Sequence, residues 1–282
     1  MPVVRRTERK KKPTVRQNKA EVTLPENVSE PASNLSDYST LLFGEKKIGK
    51  TTLASRFPDA MFLMFEPGGK ALRIFQRPIL KWEEFLGYLD LLESDNRFRT
   101  VVIDTIDLCY ARCFEFTCRR LGIDHPQEEA YGKGWDAIKM EFAGAINRLL
   151  RLKKGMIFIS HDVIREVTMR DGTSFDRILP SMPKQAASFM EGVVDIWAYY
   201  GYWGKERYLV LCGNETIGAG NRLQEEGEHF YTPEGERVIA IPMGKTSQQA
   251  YQNVVDAFNN KQQDHGGGIF KSGKQTERKS KV

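Results

Sequence analysis

The residues best spaced for chemistry form the run Gly44-Glu45-Lys46-Lys47-Ile48-Gly49-Lys50-Thr51. It satisfies the pattern G-x-x-x-x-G-K-[ST], a backbone cradle for phosphate. The glycines let the chain bend until successive N–H groups point inward, and a helix start just beyond adds partial positive charge. Lys50 is then placed to balance the charge of the terminal phosphates and Thr51 to offer a hydroxyl to Mg2+, with Thr52 completing the contact run. The expected ligand is ATP, or a close relative, carried with Mg2+. The alternative is a Gly/Lys-rich turn. The flanks argue against it, because the apolar run Ser39–Phe43 precedes the loop and the helix-like TTLASRF follows.

Three more polar residues end apolar runs. In Thr100-Val101-Val102-Ile103-Asp104-Thr105 the carboxylate of Asp104 emerges at the carboxyl edge of a buried strand, where the phosphate loop also lies. There it can hold Mg2+ through water; capping a helix is its alternative role. Glu66 closes AMFLMF and precedes Pro67-Gly68-Gly69. A carboxylate so placed can orient and deprotonate an attacking water, or be a solvated acid at a turn. His161 closes Gly155-Met156-Ile157-Phe158-Ile159-Ser160. A polar group there can touch the terminal phosphate and report it to the segment that follows, an order–disorder switch, or serve structure alone.

These positions require an alternation of strands and helices. The short apolar runs Ser39–Phe43, Met61–Phe65, Val101–Ile103 and Met156–Ser160 read as buried strands. Lys81–Glu93, Leu108–Leu121, Trp135–Leu152 and Lys184–Val194 carry helical spacing. The expected fold class is α/β, a mostly parallel sheet flanked by helices. After about residue 160 the pattern turns antiparallel. Val163–Met169 and Ser174–Ile178, split by Asp171-Gly172, predict a hairpin. Trp197–Trp203 and Arg207–Cys212 predict further strands, and Gln248–Phe258 a closing helix.

Of the net charge of +5, +7 falls in residues 1–20 and +3 in residues 264–282, which leaves −5 for residues 21–263. The expected organisation is a disordered basic tail at 1–37, a globular domain at 38–262 and a flexible basic tail at 263–282. No apolar run reaches the length of a membrane span, and the basic start lacks the apolar stretch of a secretory signal. The four cysteines, Cys109, Cys113, Cys118 and Cys212, lack the paired spacing of a zinc site. Free thiols point to a reducing cytoplasm.

The order GEKKIGKTTL, FLMFE, TVVIDT, IFISH resembles the RecA-like recombinase ATPases. The segments FPDAMFLMFEPGGKALRIFQRPI and MPKQAASFMEGVVDIWAYYGY look like a phage-encoded group of RecA-like, AAA-type nucleotide-binding proteins, some of which act in single-strand annealing or recombination. The resemblance covers about residues 38–260. It implies an ATPase with Glu66 as catalytic base, Asp104 on the Mg2+ strand and His161 as phosphate sensor, where the family usually has Gln. It further implies that the loop after His161 faces single-stranded DNA through Arg165, Arg170, Phe175, Arg177 and Lys184. Cations would meet phosphates there and the aromatic would stack on a base. An oligomer is implied too, with a cation from a neighbouring subunit, for which Arg177, Lys205 and Arg222 are candidates. Single-strand-binding or other recombination proteins are further expected partners, and the host cytoplasm is the expected compartment. Two readings from other classes remain: a small-molecule or nucleotide kinase on the same loop, and a nucleotide switch or adaptor with little turnover.

Overall fold

The computed structural model describes residues 24–169, 171–224 and 228–261. The basic runs at 1–20 and 264–282, and Arg170, lie outside the described residues. The elements below belong to one compact unit that begins at Ala32; residues 24–31 precede it and hold neither helix nor strand. After a 3-10 turn at Leu35–Asp37 come β1 (Ser39–Gly44), α1 (Lys50–Ala54), β2 (Ala60–Met64), β3 (Phe75–Pro78), α2 (Trp82–Ser94), β4 (Thr100–Asp104) and α3 (Ile106–Leu121). They are followed by α4 (Lys133–Arg151), β5 (Gly155–Thr168), β6 (Ser174–Pro180), α5 (Lys184–Val193), β7 (Ile196–Trp203), β8 (Glu206–Val210), β9 (Gly220–Asn221), β10 (Ala240–Pro242) and α6 (Ser247–Phe258). Leu35 and Ser36 are buried. The packed body therefore starts a little before residue 38, because one leucine among Ser and Asn is too faint a compositional signal.

The strand order is β10-β8-β7-β1-β5-β4-β2-β3, with β6 paired to β5 and β9 to β7. From β7 through β3 every neighbour is parallel, whereas β8, β10, β6 and β9 join antiparallel. This is the expected α/β class with its antiparallel extension. Every residue of β2 and β4 is buried, as strands covered on both faces require. Leu41, Leu63, Val101 and Phe158 face the core shared with α2 to α5. Leu42, Phe62, Val102 and Ile157 face the other side, where α1 and α6 pack.

The helices form where apolar residues recur on one face. In α2, Trp82, Phe85, Leu89 and Leu92 are buried at three- and four-residue intervals. The Glu84 carboxylate accepts the N–H groups of Leu80 and Lys81 at its start, at 2.9 and 3.2 Å. Removing Phe85 from this face would cost about 3–5 kcal/mol. A capping box starts α6: Thr246 Oγ1 accepts the Gln249 N–H and Gln249 Oε1 accepts the Thr246 N–H, each at 3.2 Å.

The main departure from the expected pattern is β5. It is one strand of 14 residues, buried through Ser160, half-buried from His161 to Val163 and alternating beyond. The polar pair His161-Asp162 reads as a break in sequence. In the structure the strand passes through it, leaves the parallel sheet and pairs with β6 from Asp162↔Pro180 to Thr168↔Ser174.

Candidate active site

The chemistry-bearing residues meet at the carboxyl edge of the parallel strands. Gly44 ends β1 in register with His161 on one side and Tyr200 on the other. A Cβ on Gly44 would lie 1.9 Å from the Tyr200 carbonyl oxygen, so only glycine allows the loop to leave the sheet here. Gly49 takes the left-handed conformation (φ 111°, ψ 23°) just before α1. The helix itself has five residues, so its dipole is slight; its contribution is its donors. The first N–H groups of a helix have no partner within it. Among the described residues no backbone carbonyl takes those of Gly49, Lys50, Thr51 or Thr52.

Lys50 is 5% exposed, and its Nζ donates to the carbonyls of Gly44 at 2.6 Å and Glu45 at 2.8 Å. Burial lowers its pKa, opposed by the charges of Asp162, Asp104, Asp107 and Glu66. The Thr51 hydroxyl donates to Asp104 Oδ2 at 2.7 Å. Burial raises the pKa of Asp104, opposed by that hydrogen bond and raised further by the charge of Glu66. A hydroxyl beside a carboxylate is a hard-oxygen pair of the kind Mg2+ takes, and such sites leave other positions to phosphate and water. The described residues hold no cluster of three or more His, Cys, Asp or Glu that could bind a metal.

Glu66 is fixed from its backbone. The N–H groups of Phe65 and Glu66 both reach the Asp104 carbonyl, at 2.7 and 3.2 Å. Glu66 Oε2 lies 2.9 Å from His161 Nε2. The glutamate side chain is 40% exposed against 23% for the histidine, so the carboxylate is the member of the pair more open to water. His161 Nδ1 is buried without a hydrogen-bond partner among the described residues. Lys50, Thr51, Glu66, Asp104 and His161 line one cavity of about 250 Å³. A larger cavity, of about 800 Å³, borders Met61, Phe75 and Phe98. Met61 is the second residue of β2, Phe75 starts β3 and Phe98 precedes β4, at the opposite edge of the sheet.

Asp107 belongs to this neighbourhood, and the sequence reading missed it. It accepts Ser160 Oγ at 2.6 Å and the His161 N–H at 3.0 Å, and so pins β5 to α3 at the site. Burial raises its pKa against those hydrogen bonds. In sequence it is an acid in the first turn of a helix, a common and uninformative place.

The nucleic-acid candidates lie on or beside the hairpin rather than on the cavity lining. Arg165 and Arg177 face each other across β5 and β6. The Arg165 guanidinium donates to the carbonyls of Met182 at 2.5 Å and Ser181 at 3.3 Å. Phe175 is half-buried opposite Val167, and Lys184 is exposed at the start of α5. The outward face of the hairpin is acidic instead, with Glu166 opposite Asp176, both exposed. Of the other candidate cations, Arg222 donates to the Gly192 carbonyl, and Lys205 is exposed in the β7–β8 turn. The four cysteines are free thiols, as expected. Burial raises their pKa, that of Cys113 to about 12.

A phosphate loop and a hydroxyl–carboxylate pair at the carboxyl edge of a parallel α/β sheet define a P-loop nucleotide-binding protein. The model of the AAA domain family matches residues 36–223, more than half of the chain, and the chain belongs to that family. The domain is nucleotide-binding and ATPase-like in kind. The chain is also 25% identical over 246 residues to the SPbeta prophage-derived uncharacterized protein YorG of Bacillus subtilis (strain 168), covering 85% of this chain and 72% of that one. No helix among the described residues is long and apolar enough to cross a membrane.

Proposed function

We propose that the protein hydrolyses ATP, or a close relative, by the RecA-like arrangement of groups. The loop N–H groups and the Lys50 ammonium hold the phosphates. Thr51 and Asp104 would hold Mg2+, which when bound neutralises charge on the phosphate oxygens. Glu66 accepts the proton of the attacking water. The His161 imidazole fixes the direction of that carboxylate and couples the terminal phosphate to the segment that follows it. The observation that carries this reading is the 2.9 Å contact between Glu66 and His161 in the cavity that also holds Lys50. A kinase would need an acceptor pocket beside the phosphates, and the larger cavity lies at the other edge of the sheet.

The finer part of the proposal is that turnover is coupled to single-stranded DNA in phage recombination, annealing or replication, in an oligomer. It is supported by the basic ends of the sequence and by the hairpin that continues directly from His161. Because the outward face of the hairpin carries Glu166 and Asp176, this reading places the electrostatic attraction chiefly in those ends. Phosphate release with and without single-stranded DNA, across a salt series, tests both parts. Stimulation that fades with salt, with a log–log binding slope of about −0.7 per phosphate neutralised, supports the coupling. Turnover indifferent to DNA removes the coupling and leaves the ATPase; absence of turnover leaves a nucleotide switch.

A further inference from the structure

Arg207 stands on β8, two strands away from β1, and sequence gives no reason to connect it with the phosphate loop. Yet its guanidinium reaches across. Nη1 lies 3.4 Å from the carbonyl oxygen of Ile48, and Nη2 donates to the carbonyl of Gly244 at 3.0 Å. An ideal Cβ on Gly49 would lie 3.5 Å from the same Nη1, so the guanidinium stands directly against the second glycine of the loop. The Arg207 backbone is held as well, because its carbonyl accepts the Met243 N–H at 2.8 Å. The side chain thus spans from the strand pair β8–β10 to the loop, and the residue is half-buried.

The contact has a geometric consequence. In a planar trans peptide the C=O and the following N–H point in opposite directions. The Ile48 carbonyl faces Arg207, so the Gly49 N–H of that same peptide faces away from Arg207. Gly49 lines the cavity with Lys50 and Thr51, and no backbone carbonyl takes its N–H among the described residues. Gly49 has no side chain to hold this peptide and adopts a left-handed conformation with many neighbours in φ/ψ space. A donor on the outer side of the loop is what selects one orientation. We infer that Arg207 is a positioning residue: by holding the Ile48 carbonyl it presents the Gly49 N–H to the phosphates of the bound nucleotide. The inference rests on the phosphate-loop reading of the site. It acts on binding, since a loop N–H contacts phosphate before and during the reaction alike.

The test compares wild type with Arg207→Ala and Arg207→Lys. Affinity for a Mg2+-loaded, non-hydrolysable ATP analogue is measured by calorimetry, alongside KM and kcat for ATP. Arg207→Ala is expected to weaken analogue binding and raise KM about tenfold, equivalent to ~1.4 kcal/mol, with kcat at saturation within about twofold. Arg207→Lys, which keeps one donor on a similar stem, is expected to fall between. Unchanged affinity in Arg207→Ala overturns the inference, and so does a fall in kcat at unchanged affinity. If the alanine variant does not fold, the lysine variant decides on the same two criteria. Failure of the wild type to bind the analogue would instead overturn the phosphate-loop reading itself, so the two failures are distinguishable.

Discussion

Glu66→Gln is the substitution that tests the proposed chemistry most directly. Glutamine keeps the shape of the side chain, and its amide oxygen can still accept from His161 Nε2 across the 2.9 Å contact. The backbone bonds from Phe65 and Glu66 to the Asp104 carbonyl are untouched. What is lost is the negative charge and the ability to take a proton. Removal of a general base costs about 10²–10⁴ in rate, or roughly 2.7–5.4 kcal/mol of barrier. Nucleotide affinity should move the other way. The Glu66 charge acts on both Lys50 and Asp104, and a polyphosphate entering the same cavity meets one negative charge fewer in the variant. With 40% of the glutamate side chain exposed, solvent screens that repulsion, and the gain in affinity should stay within a few-fold. The assay is single-turnover phosphate release at saturating Mg-ATP, with the dissociation constant measured separately. A variant that binds as well as wild type and turns over within threefold of it would refute the argument. Glu66 would then be a surface acid held by a histidine, and the attacking water would need another base.

Lys50→Met should abolish detectable ATP binding, checked by calorimetry. It should nonetheless leave the nucleotide-free protein at least as stable to heat at pH 7, because it removes a buried charge. The sign can be followed with pH: a folded-state pKa below that of the unfolded lysine means the unfolded chain binds the proton more tightly. Wild-type stability should therefore rise with pH through the window that ends near the ordinary lysine value, and the methionine variant should lack that rise. Gly44→Ala should fail to fold or lose several kcal/mol in a denaturant titration, since its methyl meets the Tyr200 carbonyl at 1.9 Å. Asp107→Ala should lower kcat while leaving KM for ATP nearly unchanged, because it frees the His161 backbone while Asp107 reaches the loop only through its charge on Lys50; equal loss in both would place Asp107 in nucleotide binding.

The parts of this site that could be read in the sequence are those where local pattern and chemistry coincide. The phosphate loop is contiguous. Asp104 and Glu66 stand out because buried strands are apolar throughout, and a carboxylate ending such a run marks the sheet edge. The edge strand β3 could not be read this way. Its residues Phe75-Gln76-Arg77-Pro78 are mostly exposed and include a proline, which an edge strand tolerates and a central strand does not. β9 and β10, of two and three residues, are too short to carry a period. Arg207 and Asp107 were invisible for another reason. Each acts on a backbone group distant in sequence, Ile48 and His161 respectively, and no spacing rule encodes that pairing. The orientation of the basic hairpin residues could not be read either, because it depends on the strand register: alternation turns Arg165 and Arg177 to the half-buried side and Glu166 and Asp176 outward.

The placement of β5 is what would allow nucleotide state to be felt outside the site. It is the strand between β1 and β4, so it borders both the phosphate loop and the Asp104 strand. The same strand runs on for seven residues beyond His161, to Thr168, which at about 3.3 Å per residue carries the chain ~23 Å away as half of a hairpin. A shift of the His161 ring on phosphate contact does not by itself move that hairpin, because Asp107 holds the strand on both sides of the junction through Ser160 Oγ and the His161 N–H. A signal requires a second arrangement of these bonds, with a free-energy difference that the nucleotide can reverse. Burial raises the pKa of Asp107 and makes its ionised form costly, and hydrogen bonds from Ser160, the His161 backbone and Ser181 offset that cost. Loss of one of these bonds would leave a buried carboxylate less well satisfied, so a second arrangement of the junction has to replace the bond it breaks.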